Sequence, residues 1–165
     1  MAFSLYIKSA LAATSLIASA AFAAQAQTSA ESSAEKATIS ATVTSYEAAM
    51  NASDTDALIA LYAEDGVLMP PYTHSVVGKA AVREAYVAGS KVFALHVKFN
   101  IAEVVQMAPD WAFVRTNSAG TMKIKATGAI SDEANQELFV LRKEAGREWK
   151  IARYSFSNTN PPPKQ

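Results

Sequence analysis

Glu137 and Arg153 are the residues of this chain whose types and spacing point most directly to chemistry. They stand in two apolar stretches, 136–143 and 147–158, joined by Glu144-Ala145-Gly146. A three-residue connection ending in Gly fits a type I turn followed by a left-handed residue. Lys143 then faces Arg147, Leu141 faces Trp149, Phe139 faces Ile151 and Glu137 faces Arg153. Slipping the pairing by one residue sets Arg142 against Trp149 and wastes the apolar face. Glu137, Phe139, Leu141, Trp149, Ile151 and Arg153 are thus expected on one covered face. A carboxylate there can act as a general base, and a guanidinium can hold a carboxylate or enolate oxygen. The same two groups also read as a structural ion pair, in which Arg lowers the Glu pKa and weakens it as a base.

Other side chains qualify as pocket walls rather than reactive groups. Tyr62, Met69, Tyr72 and Tyr86 come from helices and a first strand, and Tyr offers an apolar body with a hydroxyl. Phe99, Phe139 and Trp149 are expected to line the same pocket from the strands. Asp65 before Gly66 reads most simply as a helix end. His74 lies in a Pro-rich loop, where a histidine is either solvated or a proton shuttle. His96 falls on the polar face of its strand with Lys98 and Asn100. Arg115 and Asn117 share a face with Trp111 and Phe113, and the Pro109-Asp110 turn leaves open which face is inside. No phosphate loop, nucleophile elbow or metal-spaced carboxylate set is present, so neither a metal nor a cofactor is expected.

Composition bounds the answer from outside. The chain has 165 residues, 15 basic and 15 acidic, two His and no Cys. Half of it is apolar, which excludes disorder throughout. Balanced charge argues against a nucleic-acid partner. The absence of Cys removes disulfide scaffolds, Cys-based zinc sites and thiol catalysis together.

The elements that must position these residues follow from periodicity. Ser32-Ser33-Ala34-Glu35 reads as a capping box, with Ile39, Val43, Tyr46 and Met50 along one helical stripe after it. Asp54 can cap a second helix burying Leu58, Leu61 and Tyr62, closed by Asp65-Gly66. Residues 67–69 form a short strand stopped by Pro70-Pro71, and 72–77 a loop. A third helix follows Gly78 and ends near Gly89. The period then changes to two: Phe93, Leu95, Val97, Phe99 and Ile101 alternate with smaller or polar residues. Strands are expected over 111–125, 136–143 and 147–158, with a polar connection at 126–135. The order is ααβαββββ, an α+β domain in which three N-terminal helices cover a curved antiparallel sheet. Tyr154 and Phe156 fall opposite to Trp149 and Ile151 in this register. Apolar residues on an outer face suggest a partner, and a two-fold homodimer through the sheet is the economical one.

The first 26 residues hold ten alanines and one charge, Lys8. They read as an export signal with cleavage near Ala23 or Ala26, which implies a periplasmic or secreted protein with no membrane segment after cleavage. Residues 27–33 read as a flexible leader, 34–160 as the domain, and 161–165 as a Pro-rich tail.

Two segments carry a family resemblance. Ala108-Pro109-Asp110-Trp111-Ala112-Phe113-Val114-Arg115 resembles the DWA-x-VR segment of SnoaL-like (SgcJ/EcaC-type) proteins. Glu137-Leu138-Phe139-Val140-Leu141-Arg142 with Trp149-Lys150-Ile151-Ala152-Arg153-Tyr154 resembles their closing hairpin. Residues 57–71 and the Gly78-Lys79-Ala80-Ala81-Val82 helix start are similar to the same group, so the resemblance covers about 39–160. It implies the cone of the nuclear transport factor 2-like (ketosteroid isomerase-like) superfamily, and a homodimer. That fold hosts isomerases, cyclases, dehydratases and non-catalytic modules, so it names no reaction. The isomerase pattern of a carboxylate base with Tyr and protonated Asp donors is not matched residue by residue. The expectation is an exported domain binding a small apolar organic ligand without a cofactor. A proton-transfer isomerase or cyclase and an interaction module with a filled pocket are the rivals.

Overall fold

Alternating apolar residues need a partner layer on one side only, and here the layer is helical. The computed structural model describes residues 31–145 and 148–160. The expected export signal, most of the expected leader and the Pro-rich tail lie outside the described residues, as does part of the 144–148 loop. The chain divides into two units, 1–35 and 36–165. Of the first, residues 31–35 are described and are helical. The helix is thus already present at Glu31, ahead of the expected capping box and inside the expected leader. Extending a formed helix costs little, so Ser32 and Ser33 fit its interior.

Helix α1 covers 31–51 and buries Ile39, Val43, Tyr46 and Ala49. Helix α2 (Thr55–Ala60) starts at Asp54, whose Oδ1 accepts from the Ala57 N–H at 2.9 Å. It ends at Leu61, earlier than the helical spacing implies. Strand β1 (Tyr62–Met69) begins at once and runs parallel to the last strand. The Ile151 N–H donates to Leu61 O at 2.7 Å, so sheet hydrogen bonds capture the segment expected to finish the helix. Gly66 is needed inside this strand, where a Cβ would stand 2.9 Å from Ala63 O and 3.2 Å from Ile151 O. Val76–Val77, expected in a loop, form a two-residue strand β2 against β1. Helix α3 (Lys79–Val92) continues past Gly89.

Four long strands follow: β3 (Phe93–Ala108), β4 (Trp111–Ile124), β5 (Ile130–Lys143) and β6 (Trp149–Asn158). The sheet order is β2-β1-β6-β5-β4-β3, antiparallel except for the β1–β6 pair. The α+β class and the curved, helix-covered sheet are as expected, with the sheet mixed rather than wholly antiparallel. The polar connection at 126–135 shrinks, because Lys123 pairs with Ile130 and the ladder runs on from there. Its residues are wet at the hairpin tip, so no apolar alternation marks them as strand.

The closing hairpin carries the main correction. Lys143 pairs with Trp149 and Leu141 with Ile151, two residues off the expected register. Ala152 is then an extra residue on β6, and past it Val140 faces Arg153, Phe139 faces Tyr154 and Glu137 faces Phe156. A bulge sets two residues against one and turns the strand over. Tyr154 and Phe156 therefore face the core with Phe139, and Arg153 faces out. On β4 the inside face is Ala112, Val114, Thr116 and Ser118, all buried. Trp111, Phe113, Arg115 and Asn117 lie on the other face.

Candidate functional site

Pleating sets Glu137 between two neighbours of opposite character. Thr116 on β4 pairs with it on one side, and Phe156 on β6 on the other. Its Oε2 accepts from Thr116 Oγ1 and its Oε1 from Ser118 Oγ, each at 2.5 Å. Glu137 is 4% exposed. Burial raises its pKa above the ordinary 4.5, and the two hydroxyls offset only part of that rise. The expected ion pair with Arg153 does not form. The Arg153 guanidinium donates instead to the Ala152 carbonyl at 2.6 Å and the Asp65 carbonyl at 3.2 Å. The register shift and the Ala152 bulge are the cause.

The Glu137 side of β5 closes a cavity of about 420 Å³ under α1 and α3. That volume lies within the range of small-molecule sites, roughly 300–1,000 Å³. Leu58, Leu68, Leu95, Val97 and Met122 supply aliphatic wall. Tyr46, Tyr86, Phe99, Tyr154 and Phe156 supply rings. Ser118, Glu133, Asn135 and Glu137 supply the polar part. Tyr154 stacks between Phe139 at 4.4 Å and Phe156 at 5.5 Å, which fixes the wall beside Glu137.

Three tyrosine hydroxyls meet at one side. Tyr46 Oη lies 2.6 Å from Tyr86 Oη, and Tyr62 Oη 3.0 Å from it. Two contacts use two of the three protons, leaving one for another acceptor. Burial pushes the Tyr86 phenol up to about 12 and those of Tyr46, Tyr62 and Tyr154 well above their ordinary value. All four stay neutral near pH 7, as donors and acceptors rather than bases.

Of the residues expected in the pocket, Tyr86 and Phe99 line the cavity. Tyr62 is buried behind Tyr86, and Phe139 is buried behind Tyr154. Trp149 packs away from it, its carbonyl accepting from Thr42 Oγ1 at 3.4 Å. Met69 points the other way from Leu68 and Pro70, its lining neighbours on the pleated chain. Tyr72 is fully exposed on a turn with φ 63°. His74 and His96 are exposed. Asp65 is no helix end; both its carboxylate oxygens bind Arg142, at 2.8 and 3.1 Å, which holds its carboxyl below the usual range. Arg115 pairs with Glu103 at 3.2 Å on the outer face. Thr116, Ser118, Glu133 and Asn135 were missed. The Thr-x-Ser alternation is a readable signal, whereas Glu133 and Asn135 fall in the stretch whose composition reads as a polar connection.

Among the described residues, no group of three or more His, Cys, Asp or Glu is placed to hold a metal, and no helix is long and apolar enough to cross a membrane. The SnoaL-like domain pattern matches residues 43–154. A ketosteroid isomerase-like protein from Erwinia carotovora atroseptica SCRI1043 is 43% identical, with a TM-score of 0.75, covering 77% of this chain and 98% of that one. A conserved protein from Planctomyces limnophilus DSM 3776 is 20% identical, with a TM-score of 0.68, covering 76% and 98%. It shows likeness of fold alone. No curated protein matches.

Proposed function

Given that the chain belongs to the SnoaL-like domain family, we propose that it binds a small, largely apolar organic molecule in the cavity beside Glu137. One observation carries this reading: a cavity of about 420 Å³ combines aromatic and aliphatic walls with a buried carboxylate that has no cationic partner among the described residues. Native mass spectrometry of the protein from its own source tests it, read against Ala85→Phe. Ala85 lines the cavity, and a ring there fills part of it. A bound small molecule in the wild type, lost in the folded variant, is the expected result. An empty wild type that also binds nothing from a broad small-molecule library would leave the module with a filled pocket as the better account.

Glu137 also favours a second reading, proton transfer to or from the ligand. A buried carboxylate with a raised pKa is a stronger base than an exposed one, and positioned general bases contribute about 10²–10⁴-fold to rate. The description of the 43% identical relative as ketosteroid isomerase-like supports this class without fixing a reaction. Turnover at saturating ligand that falls on Glu137→Gln by that factor, with the fold intact, identifies an enzyme; binding without turnover in a broad screen identifies a binding domain.

The homodimer and export readings belong to the same proposal. Tyr154 and Phe156 no longer argue for a dimer, since both face the core. Trp111, Phe113, Leu138 and Val140 take their place on the outer sheet face, with Leu138 43% exposed. A sedimentation mass twice that of the mature chain supports the dimer, and detection in a periplasmic fraction supports export.

A further inference from the structure

The charges around the cavity have one sign. Among the described residues that line it, the charged ones are Asp54, Glu133 and Glu137. None of these lining residues is a cation, and four cations elsewhere on the sheet and helices are committed. Arg153 holds backbone carbonyls, Arg142 holds Asp65 and Glu144, Lys98 holds Glu47 and Arg83 holds Asp56. An anion entering the cavity would lose its water and meet carboxylates, with no compensating charge.

The polar wall is made of acceptors. Glu133, Asn135 and Glu137 occupy alternate positions of β5, all lining the cavity. Asn135 Nδ2 donates to Glu133 Oε1 at 2.9 Å. That contact fixes the amide, because turning it over would set Oδ1 against a carboxylate oxygen. Asn135 Oδ1 is then a buried acceptor without a donor, in a residue 8% exposed. Such an atom costs stability until a donor reaches it. Glu137 has hydroxyl donors and, among the described residues, no cationic partner at its oxygens. A neutral hydrocarbon answers neither need. The rings of Tyr46, Tyr86, Phe99, Tyr154 and Phe156 add faces that attract cations.

We propose that the ligand is an organic amine in its ammonium form, its apolar body against the rings and its N–H donors toward Glu137 and Asn135. This rests on the binding reading above and specifies its ligand class. An ammonium brings several donors and the missing charge, an alcohol brings one donor and no charge, and a carboxylate brings neither.

Matched sets test it by calorimetry at neutral pH: an arylalkyl amine, the corresponding alcohol and the corresponding carboxylate, built on phenyl, naphthyl and adamantyl bodies. In at least one set the amine binds about ten-fold or more tighter than its alcohol, with the carboxylate weakest. Glu137→Gln removes most of that preference and leaves the alcohol within about two-fold. The wild-type comparison stands alone if the variant does not fold, and Glu133→Gln then serves as the second variant, again with a reduced amine preference. Alcohols equal to amines, or carboxylates tighter than either, overturn the amine assignment and leave the binding reading standing. Silence from every member of every set removes both.

Discussion

Glu137 stands opposite Phe156 across the β5–β6 ladder, so its carboxylate has a ring on one side and the hydroxyls of Thr116 and Ser118 on the other. Its charge is thereby desolvated and hydrogen-bonded but not neutralised.

The consequence for stability depends on pH. With the folded pKa raised above 4.5, the folded chain binds the Glu137 proton more tightly than the unfolded chain. This group's contribution is therefore complete below the unfolded value and is lost as pH rises through the folded one. Glu137→Gln removes that loss. Thermal melts should show the Gln variant gaining on the wild type as pH rises from about 4 through the folded midpoint. A wild type that gains on the variant over the same range contradicts the assignment.

Gly120 pairs with Val97 at the crossing of β3 and β4, and a Cβ there would stand 2.1 Å from His96 O and 2.7 Å from Val97 Cα. Both atoms are backbone, so the ladder must open. Gly120→Ala should cost about 3 kcal/mol in denaturant unfolding, at the upper end of overpacking penalties. A loss below about 1 kcal/mol would show that the strands part easily.

Tyr86→Phe removes the oxygen shared by Tyr46 and Tyr62. Two buried hydroxyls lose a partner, at a cost of about 1–3 kcal/mol. Tyr72→Phe, on a fully exposed side chain, should change stability by less than about 0.5 kcal/mol. Chemical denaturation of the two variants in parallel separates the network from a general effect of tyrosine.

Arg153 and Arg142 face away from the cavity. Arg142→Ala breaks contacts to Asp65 and Glu144 that are partly exposed and screened, so it should cost no more than about 1 kcal/mol. Arg153→Ala should leave ligand affinity within about two-fold of wild type by calorimetry. A large loss of affinity in the Arg153 variant would return that residue to the site.

Much of the architecture was legible because apolar spacing sets it. The stripe of Ile39, Val43 and Tyr46, the Asp54 cap and the alternation from Phe93 to Ile101 all sit where periodicity puts them. The candidate site was half legible. Glu137 was found from its position at the end of an apolar alternation. Its partner was not, because the Ala152 bulge adds one residue that local composition does not announce, and one residue reverses every side chain beyond it. The early end of α2 escaped for a related reason. Its cause is a parallel pairing with β6, nearly ninety residues away in sequence. Glu133 and Asn135 were hidden because a strand end with polar residues looks like a loop.

The ionisation of Glu137 tests the central claim most directly, read from its side-chain carboxyl carbon by NMR through a pH titration. The account predicts a midpoint above 4.5 in the free protein and a carboxyl signal that shifts when a ligand fills the cavity. A midpoint at or below 4.5, unmoved by any bound ligand, would mean that this carboxylate is solvated or paired with a cation, and would contradict it.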